Sequence, residues 1–569
     1  MSSPRRFDNV AAILLAAIAV AAGVAVITVG VCGVYHDDGV YVSTAKALAE
    51  GRGYRLINLP AAPLQTRYPI LYPAGLALIW RVWPVFPQNL IAMQSLSLLS
   101  GAAAIGLGYL YAVRVQGCRR MTAALGMALC ATAPTFAYFS TQTLSEIPFA
   151  VGLIVALWIV AEEQTRPTTS RAREGLVGLA LAIPCLLRLV GLVIVVPMLY
   201  ALWRHNRRIL WYAIGALLPL AAWMGWVWSA RHATATIRVA MNSPDSWDWL
   251  VQIMSRGVRH TVGYNALIVS VATADLFPAS WKAHVAIAFP ALGLMIWIAV
   301  VRRGRFALAP VLLAYVLVIL LWPWPPSRFL VPLWPILGPF AMEPIQRRLG
   351  SVAMIGIAAA AIGGNLRELH QTSQRSHALH YPTSTTVKTP STWSAYERLF
   401  GFIRVHTDPG DVLITGLDPM LFLYTGRPAI RAFDVQPLPL FYGVTGNPVG
   451  TIEDLVALLT RRNGQYLVQT PMPGFAEEEP FNNLVTQLRR EHPTCVSQVY
   501  QDEQDPRFVI WAIDIAGCNA VTSSTSRVER GGRVWRRSAV GREVTTERRD
   551  RQVPPARADL HVAPLAVVG

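Results

Sequence analysis

The chain has 569 residues, 53% of them hydrophobic and 15% charged, with a formal net charge of +17 and a mean hydropathy of +0.39. That balance excludes a water-soluble globule of ordinary surface and fits a polytopic α-helical membrane protein. The arginine surplus does not mark a nucleic-acid binder, because the arginines fall in short clusters between apolar runs, as in cytoplasmic membrane loops.

After MSSPRRFDN an apolar run covers 10–33, too long for a signal-peptide core and without a small-residue cleavage site, so it reads as a retained first helix. Further runs at 89–112, 121–140, 147–161, 175–187, 189–203, 209–228, 282–301, 306–322, 328–345 and 350–364 give about eleven crossings. The two runs that flank Arg188 are shorter than the ~20 residues a straight span needs. Arg5/Arg6, Arg114/Arg119/Arg120, Arg166/Arg171/Arg173, Arg204/Arg207/Arg208, Arg302/Arg303/Arg305 and Arg347/Arg348 all fall on one side of this arrangement, which the positive-inside rule makes cytoplasmic. The first loop and the C-terminal part then face outward.

Ionisable residues gather on that outer side. Asp37 and Asp38 follow the first apolar run directly, and Arg67 stands in TRYPILYP, a proline-broken aromatic piece suited to the interface. Glu146 heads the next outward helix in STQTLSEIPFA, Arg188 lies alone in CLLRLVGLV, and Arg328 sits among prolines and tryptophans in WPWPPSRFLVPLWP. Each has a plain alternative: a loop boundary for the aspartates, lipid snorkelling for Arg67, a helix-dipole charge for Glu146, a hairpin turn for Arg188, an aromatic-belt anchor for Arg328. Between Trp228 and Trp281, WDWLVQIMSRGVRHTVGY has the spacing of a helix lying on the membrane surface.

From Asn365 the composition turns polar. DVLITG, QYLVQT and FVIWAID read as buried strands, and SAYERLFGFIRVHT, TIEDLVALLTRRN and EPFNNLVTQLRREHP as amphipathic helices. The shifts divide the chain into a membrane domain at 1–366, a small extracytoplasmic α/β domain at 367–516 and an Arg-rich disordered tail at 517–569. Cys495 and Cys518 could pair if that domain is extracytoplasmic; Cys32, Cys118, Cys130 and Cys185 read as packing residues. His36, His232, His260 and His284 fall outward without metal-ligand spacing, so no metal and no other cofactor is expected. Walker and Rossmann motifs are absent, which argues against a cytosolic nucleotide donor.

DDGVY, from Asp37 to Tyr41, resembles the DExxY-type motif after the first membrane helix of GT-C glycosyltransferases in the aminoarabinose transferase and protein O-mannosyltransferase group. RYP, Arg67 to Pro69, resembles their basic-Pro-Pro segment. Two departures stand out: Asp38 occupies a place where Glu is common, and Tyr68 separates the basic residue from Pro69. Glu146 resembles an acidic residue found at the same point, Arg328 to Pro332 resembles a recurrent piece of the superfamily, and GRPAIR is reminiscent of the external domain of such transferases. Over roughly residues 1–350 the resemblance implies a GT-C fold and inverting transfer from a polyprenyl-phosphate-linked sugar to a lipid, glycan or protein acceptor, at the outer face of a bacterial inner membrane. It implies Asp37 as base, beside Asp38 and Glu146. It gives Arg67, with Tyr68, and Arg328 to the lipid phosphate, and Tyr41 an orienting part; Arg188, alone among apolar residues, needs an anionic partner that a lipid phosphate or Glu146 could supply. A polyprenyl-lipid transporter or flippase, or a non-catalytic envelope-assembly protein, would use similar outward charges, although mid-helix charges and internal repeats are not found here.

Overall fold

The computed structural model describes residues 3–518 apart from 168, 206–207, 242–254, 256–257, 304–306, 378–392, 434 and 473–474. Most of the expected surface helix and all of the tail beyond 518 lie outside the described residues.

Among the described residues four helices are long and apolar enough to cross a membrane, within Arg5–Val26, Leu90–Val115, Ile209–Ala230 and Ser327–Gln374; a bent pair, Ala279–Ala288 and Gly293–Arg302, makes up to five. Shorter apolar helices run over Leu71–Val82, Leu189–Trp203 and Leu308–Leu320. Local chemistry explains why the apolar runs do not map one-to-one onto long helices. The run 121–140 is cut in two, since Ala133 precedes Pro134 and takes an extended backbone (ψ 122°), ending Arg120–Thr132 and opening Pro134–Phe139. The runs 328–345 and 350–364 fuse into Trp334–His377 with a break at Gly350, whose φ of 84° no helix accommodates. Arg188 is extended (φ −149°, ψ 136°) and separates Arg171–Leu187 from the following helical turn.

The first helix, Ser3–Val26, ends well before the acidic pair, and Asp37–Ala49 begins a separate helix with Asp37 and Asp38 in its first turn. Those carboxylates sit where a helix dipole favours negative charge.

Residues 393–518 build a five-stranded sheet from β1 (Leu413–Thr415), β2 (Ala429–Arg431), β3 (Tyr466–Gln469), β4 (Val496–Gln501) and β5 (Val509–Ile513), in the order β2-β1-β3-β5-β4. β1 pairs parallel with β2 and β3, whereas β5 pairs antiparallel with β3 and β4. Helices Trp393–His406, Ile452–Arg462 and Glu478–Glu491 bury their apolar faces in its core, the second opening on a Thr451/Asp454 capping box. Cys495 and Cys518 form a disulfide.

The two hydrophobic cores are not split where the composition changes. Val31 and Val34 from the first loop, Val40 from the helix after it, and Leu56 and Leu59 from the segment beyond that helix belong to the core of the sheet region. Tyr35 and Tyr68 pack against both cores. The first loop is therefore the seam between bundle and sheet, and the acidic pair lies on it.

Candidate active site

Asp37 is held from two sides. Tyr68 donates its hydroxyl to Oδ1, and Arg328, 291 residues further along, donates from Nη2 to Oδ2. Arg328 also brings Nε to 3.4 Å from Glu146 Oε1, and Glu146 Oε2 lies 2.7 Å from Arg188 Nη1. The result is one alternating chain, Asp37, Arg328, Glu146, Arg188. Arg188 Nη1 further donates to Ser145 Oγ at 3.1 Å, and Ser145 Oγ is 2.9 Å from the Tyr41 hydroxyl. Both guanidiniums face the Phe329 ring, at 4.8 Å for Arg188 and 5.4 Å for Arg328.

The Asp37–Arg328 half of this chain is less buried than the Glu146–Arg188 half. The Glu146 side chain is fully buried and that of Arg188 10% exposed, whereas Asp37 keeps 15% and Arg328 25%. The Asp37–Arg328 end is thus the more accessible one. Neither Glu146 oxygen receives a well-directed hydrogen bond despite the ion-pair distances, and Arg188 Nε also lacks a partner. Buried charges in that condition retain unused hydrogen-bonding capacity.

The adjacent aspartates do different work. Asp38, 1% exposed, accepts from the backbone N–H of Gly33 at 2.7 Å and of Tyr35 at 3.0 Å, so it folds the loop back onto the helix start. Burial pushes its carboxyl up to about 6, against the pull of those amides. Burial acts in the same direction on Asp37, but Arg328, Arg67 and the Tyr68 hydroxyl outweigh it and hold Asp37 well below the usual carboxylate range. Asp37 is the ionised, cation-facing acid; Asp38 is a loop clasp.

The remaining sequence candidates take supporting places. Tyr41 and Tyr68 meet edge-on with ring centroids 5.0 Å apart, and Tyr41 meets Tyr72 in the same manner at 5.1 Å, forming an aromatic wall beside Asp37. Arg67 is exposed and carries its guanidinium over the Tyr68 ring at 5.5 Å. Its charge acts on Asp37 together with that of Arg328. Sequence reasoning missed Ser145, which joins Tyr41 to Arg188, and the contact from His36 Nε2 to Asp418 Oδ1 at 3.0 Å. Only the position of Ser145 next to Glu146 could have signalled it. Among the described residues no group of three or more His, Cys, Asp or Glu side chains could hold a metal ion.

No protein-family model matches the chain, and no curated protein matches it by sequence. Solved structures do match. The archaeal oligosaccharyltransferase AglB from Archaeoglobus fulgidus, solved with an inhibitory peptide and a dolichol-phosphate, aligns with a TM-score of 0.52 at 11% identity over 89% of this chain and 74% of that one. ArnT from Cupriavidus metallidurans, bound to undecaprenyl phosphate, aligns at 0.48 with 16% identity, over 88% of this chain and 97% of that one. The chain has the GT-C fold of membrane glycosyltransferases.

Proposed function

We propose that the chain is an inverting glycosyltransferase that moves a sugar from a polyprenyl-phosphate-linked donor to an acceptor hydroxyl at the outer face of a bacterial inner membrane, with residues 393–518 extracytoplasmic. The observation that carries this reading is the Asp37–Arg328–Glu146–Arg188 chain, accessible at its Asp37 end and lying on the seam between bundle and sheet. AglB and ArnT, which share the fold class, were solved with dolichol-phosphate and undecaprenyl phosphate respectively.

The chemistry follows from the charges. Asp37 takes the proton of the acceptor hydroxyl as that oxygen bonds to the anomeric carbon; the bond from that carbon to the phosphate oxygen breaks, and the phosphate leaves with the electron pair. General-base help of this kind is typically worth ~10² to 10⁴ in rate. The leaving phosphate gains negative charge, which guanidiniums in a dry cleft stabilise better than water does. Three guanidiniums, those of Arg67, Arg188 and Arg328, gather around Asp37 and Glu146 and can share a phosphate between them. Arg328 is also the foremost cation holding Asp37 low. A donor phosphate that shares Arg328 therefore returns proton affinity to Asp37, and the base strengthens when the donor is seated.

The test is transfer by the purified protein in vesicles, using a pool of polyprenyl-phosphate sugars and bacterial envelope acceptors. We expect a glycosylated acceptor whose anomeric configuration is opposite to the donor's. Lipid movement across the vesicle without glycosyl transfer would instead establish a flippase. For the topology, Val499 is 43% exposed on β4, and Val499→Cys should react with an impermeant thiol reagent on cells whose outer envelope has been permeabilised. Labelling only after lysis would reverse the orientation.

A further inference from the structure

The most constrained backbone in the first loop is at His36, directly before Asp37. Its φ of 61° and ψ of −54° put a non-glycine residue in a left-handed conformation, and Asp37 N–H donates to Tyr35 C=O at 2.6 Å across it. This is a γ-turn of the rare, strained hand, and such a turn persists only where its surroundings hold it.

Asp418 is what holds the ring. Its Oδ1 is 3.0 Å from His36 Nε2, its Oδ2 accepts from Asn58 Nδ2 at 2.9 Å, and its side chain is 5% exposed. Asp418 opens helix Asp418–Thr425 in the sheet region. The next two residues of that helix press on the same loop: a Cβ placed on Gly39 would meet Pro419 Cβ at 2.7 Å, and one on Gly33 would meet Met420 Cα at 2.8 Å. Beside them Ala429 N–H, on β2, donates to Asn58 C=O at 2.8 Å. A helix start and a strand end, more than 350 residues away in the chain, thus grip the segment that presents Asp37.

We propose that Asp418 is a positioning residue for Asp37: by fixing the His36 ring it maintains the strained turn that aims the neighbouring carboxylate at the acceptor. Within this arrangement the sheet region supplies geometry to the reaction without touching the donor phosphate. The inference rests on Asp37 being the base.

The experiment compares Asp418→Ala, Asp418→Asn and Asp37→Asn, singly and combined, for transfer kinetics and for undecaprenyl phosphate retained on the detergent-purified protein by native mass spectrometry. Asp418→Ala should lower kcat by about 10²-fold, the scale of a misplaced catalytic group, with donor KM and retained lipid within about 3-fold of wild type. Asp418→Asn should recover most of that loss, because its amide oxygen still accepts from the His36 ring and the unpartnered Asn58 Oδ1 can turn to accept from the new amide. On an Asp37→Asn background, Asp418→Ala should cost nothing further. A multiplied loss in the double variant, an unaffected kcat, or a loss of lipid retention in step with kcat would each overturn the positioning role. A wild-type protein that neither retains the lipid nor transfers a sugar would overturn the transferase reading first, and this inference with it.

Discussion

Helix Glu146–Thr165 carries a fully buried glutamate at each end, and the two are finished differently. At its C-terminal end Glu163 receives Arg173 Nε at 2.7 Å on Oε1 and the Tyr212 hydroxyl at 2.9 Å on Oε2, with Arg166 Nε 3.5 Å away. At the N-terminal end Glu146 has two arginines within ion-pair distance, yet neither oxygen accepts a well-directed hydrogen bond. The first cluster is saturated, so it serves the fold. The second keeps capacity in reserve, and a buried charge left incompletely bonded is costly unless it has another use. The difference separates a structural ion pair from a candidate site on one helix.

That contrast can be broken by substitution. The largest effect is expected at the open end of the second cluster: Asp37→Asn keeps size and hydrogen bonding but removes proton affinity, and turnover should fall by ~10² or more with donor retention intact. Asp38→Asn, which still offers one oxygen to the loop amides, should cost less. If the order were reversed, the base would be Asp38.

Next come the cations. Arg328→Ala and Arg188→Ala should each weaken donor binding by about 1.5 to 3 kcal/mol, the worth of a charged hydrogen bond, read from donor titration of the reconstituted protein. Arg67→Ala, from an exposed position, should do less. Unchanged donor affinity in all three, with the fold intact, would remove the phosphate reading.

At the saturated end, Glu163→Gln should lower the melting temperature while transfer per folded molecule stays within about 2-fold, since the loss there is a structural hydrogen-bond set. A drop in transfer as large as that of Glu146→Gln would erase the distinction between the two ends.

The smallest effect is on the pH dependence of stability. Asp38 titrates near 6 in the folded protein and near 3.8 in the unfolded chain, so the folded state binds the proton more tightly. The stability this contributes is fully present below about pH 4 and is lost as pH rises through about 6. Thermal unfolding of wild type and Asp38→Asn across that window should diverge accordingly, and parallel curves would contradict the burial account of Asp38.

The residue types of the site were legible because charge at a membrane boundary is conspicuous against apolar sequence: Asp37, Glu146, Arg188 and Arg328 each stand out beside a hydrophobic run. Their pairing was legible only for Arg188, whose expected anionic partner was a lipid phosphate or Glu146, and Glu146 stands 2.7 Å from it. Nothing local to Asp37 says that Arg328 meets it, because that contact is made by how helices pack across 291 residues. Nor could the sequence divide the labour of Asp37 and Asp38, which depends on a loop folding back over Gly33. In the sheet region the runs DVLITG, QYLVQT and FVIWAID carry strands β1, β3 and β5, being short, β-branched and buried. β4 escaped notice because VSQVYQ is a largely exposed edge strand with little apolar signal. The apolar run 121–140 also overstates continuous helix, because Pro134 interrupts it.

The central claim is that the incompletely bonded cluster of Asp37, Arg328, Glu146 and Arg188 receives a polyprenyl phosphate. Cryo-electron microscopy of the protein with added undecaprenyl phosphate tests it most directly. The account predicts phosphate density against Arg328, with Arg188 or Arg67 on its other side and Asp37 released from full contact with Arg328. Lipid density confined to the outer surface of the bundle, with the Asp37–Arg328 pair undisturbed, would contradict it.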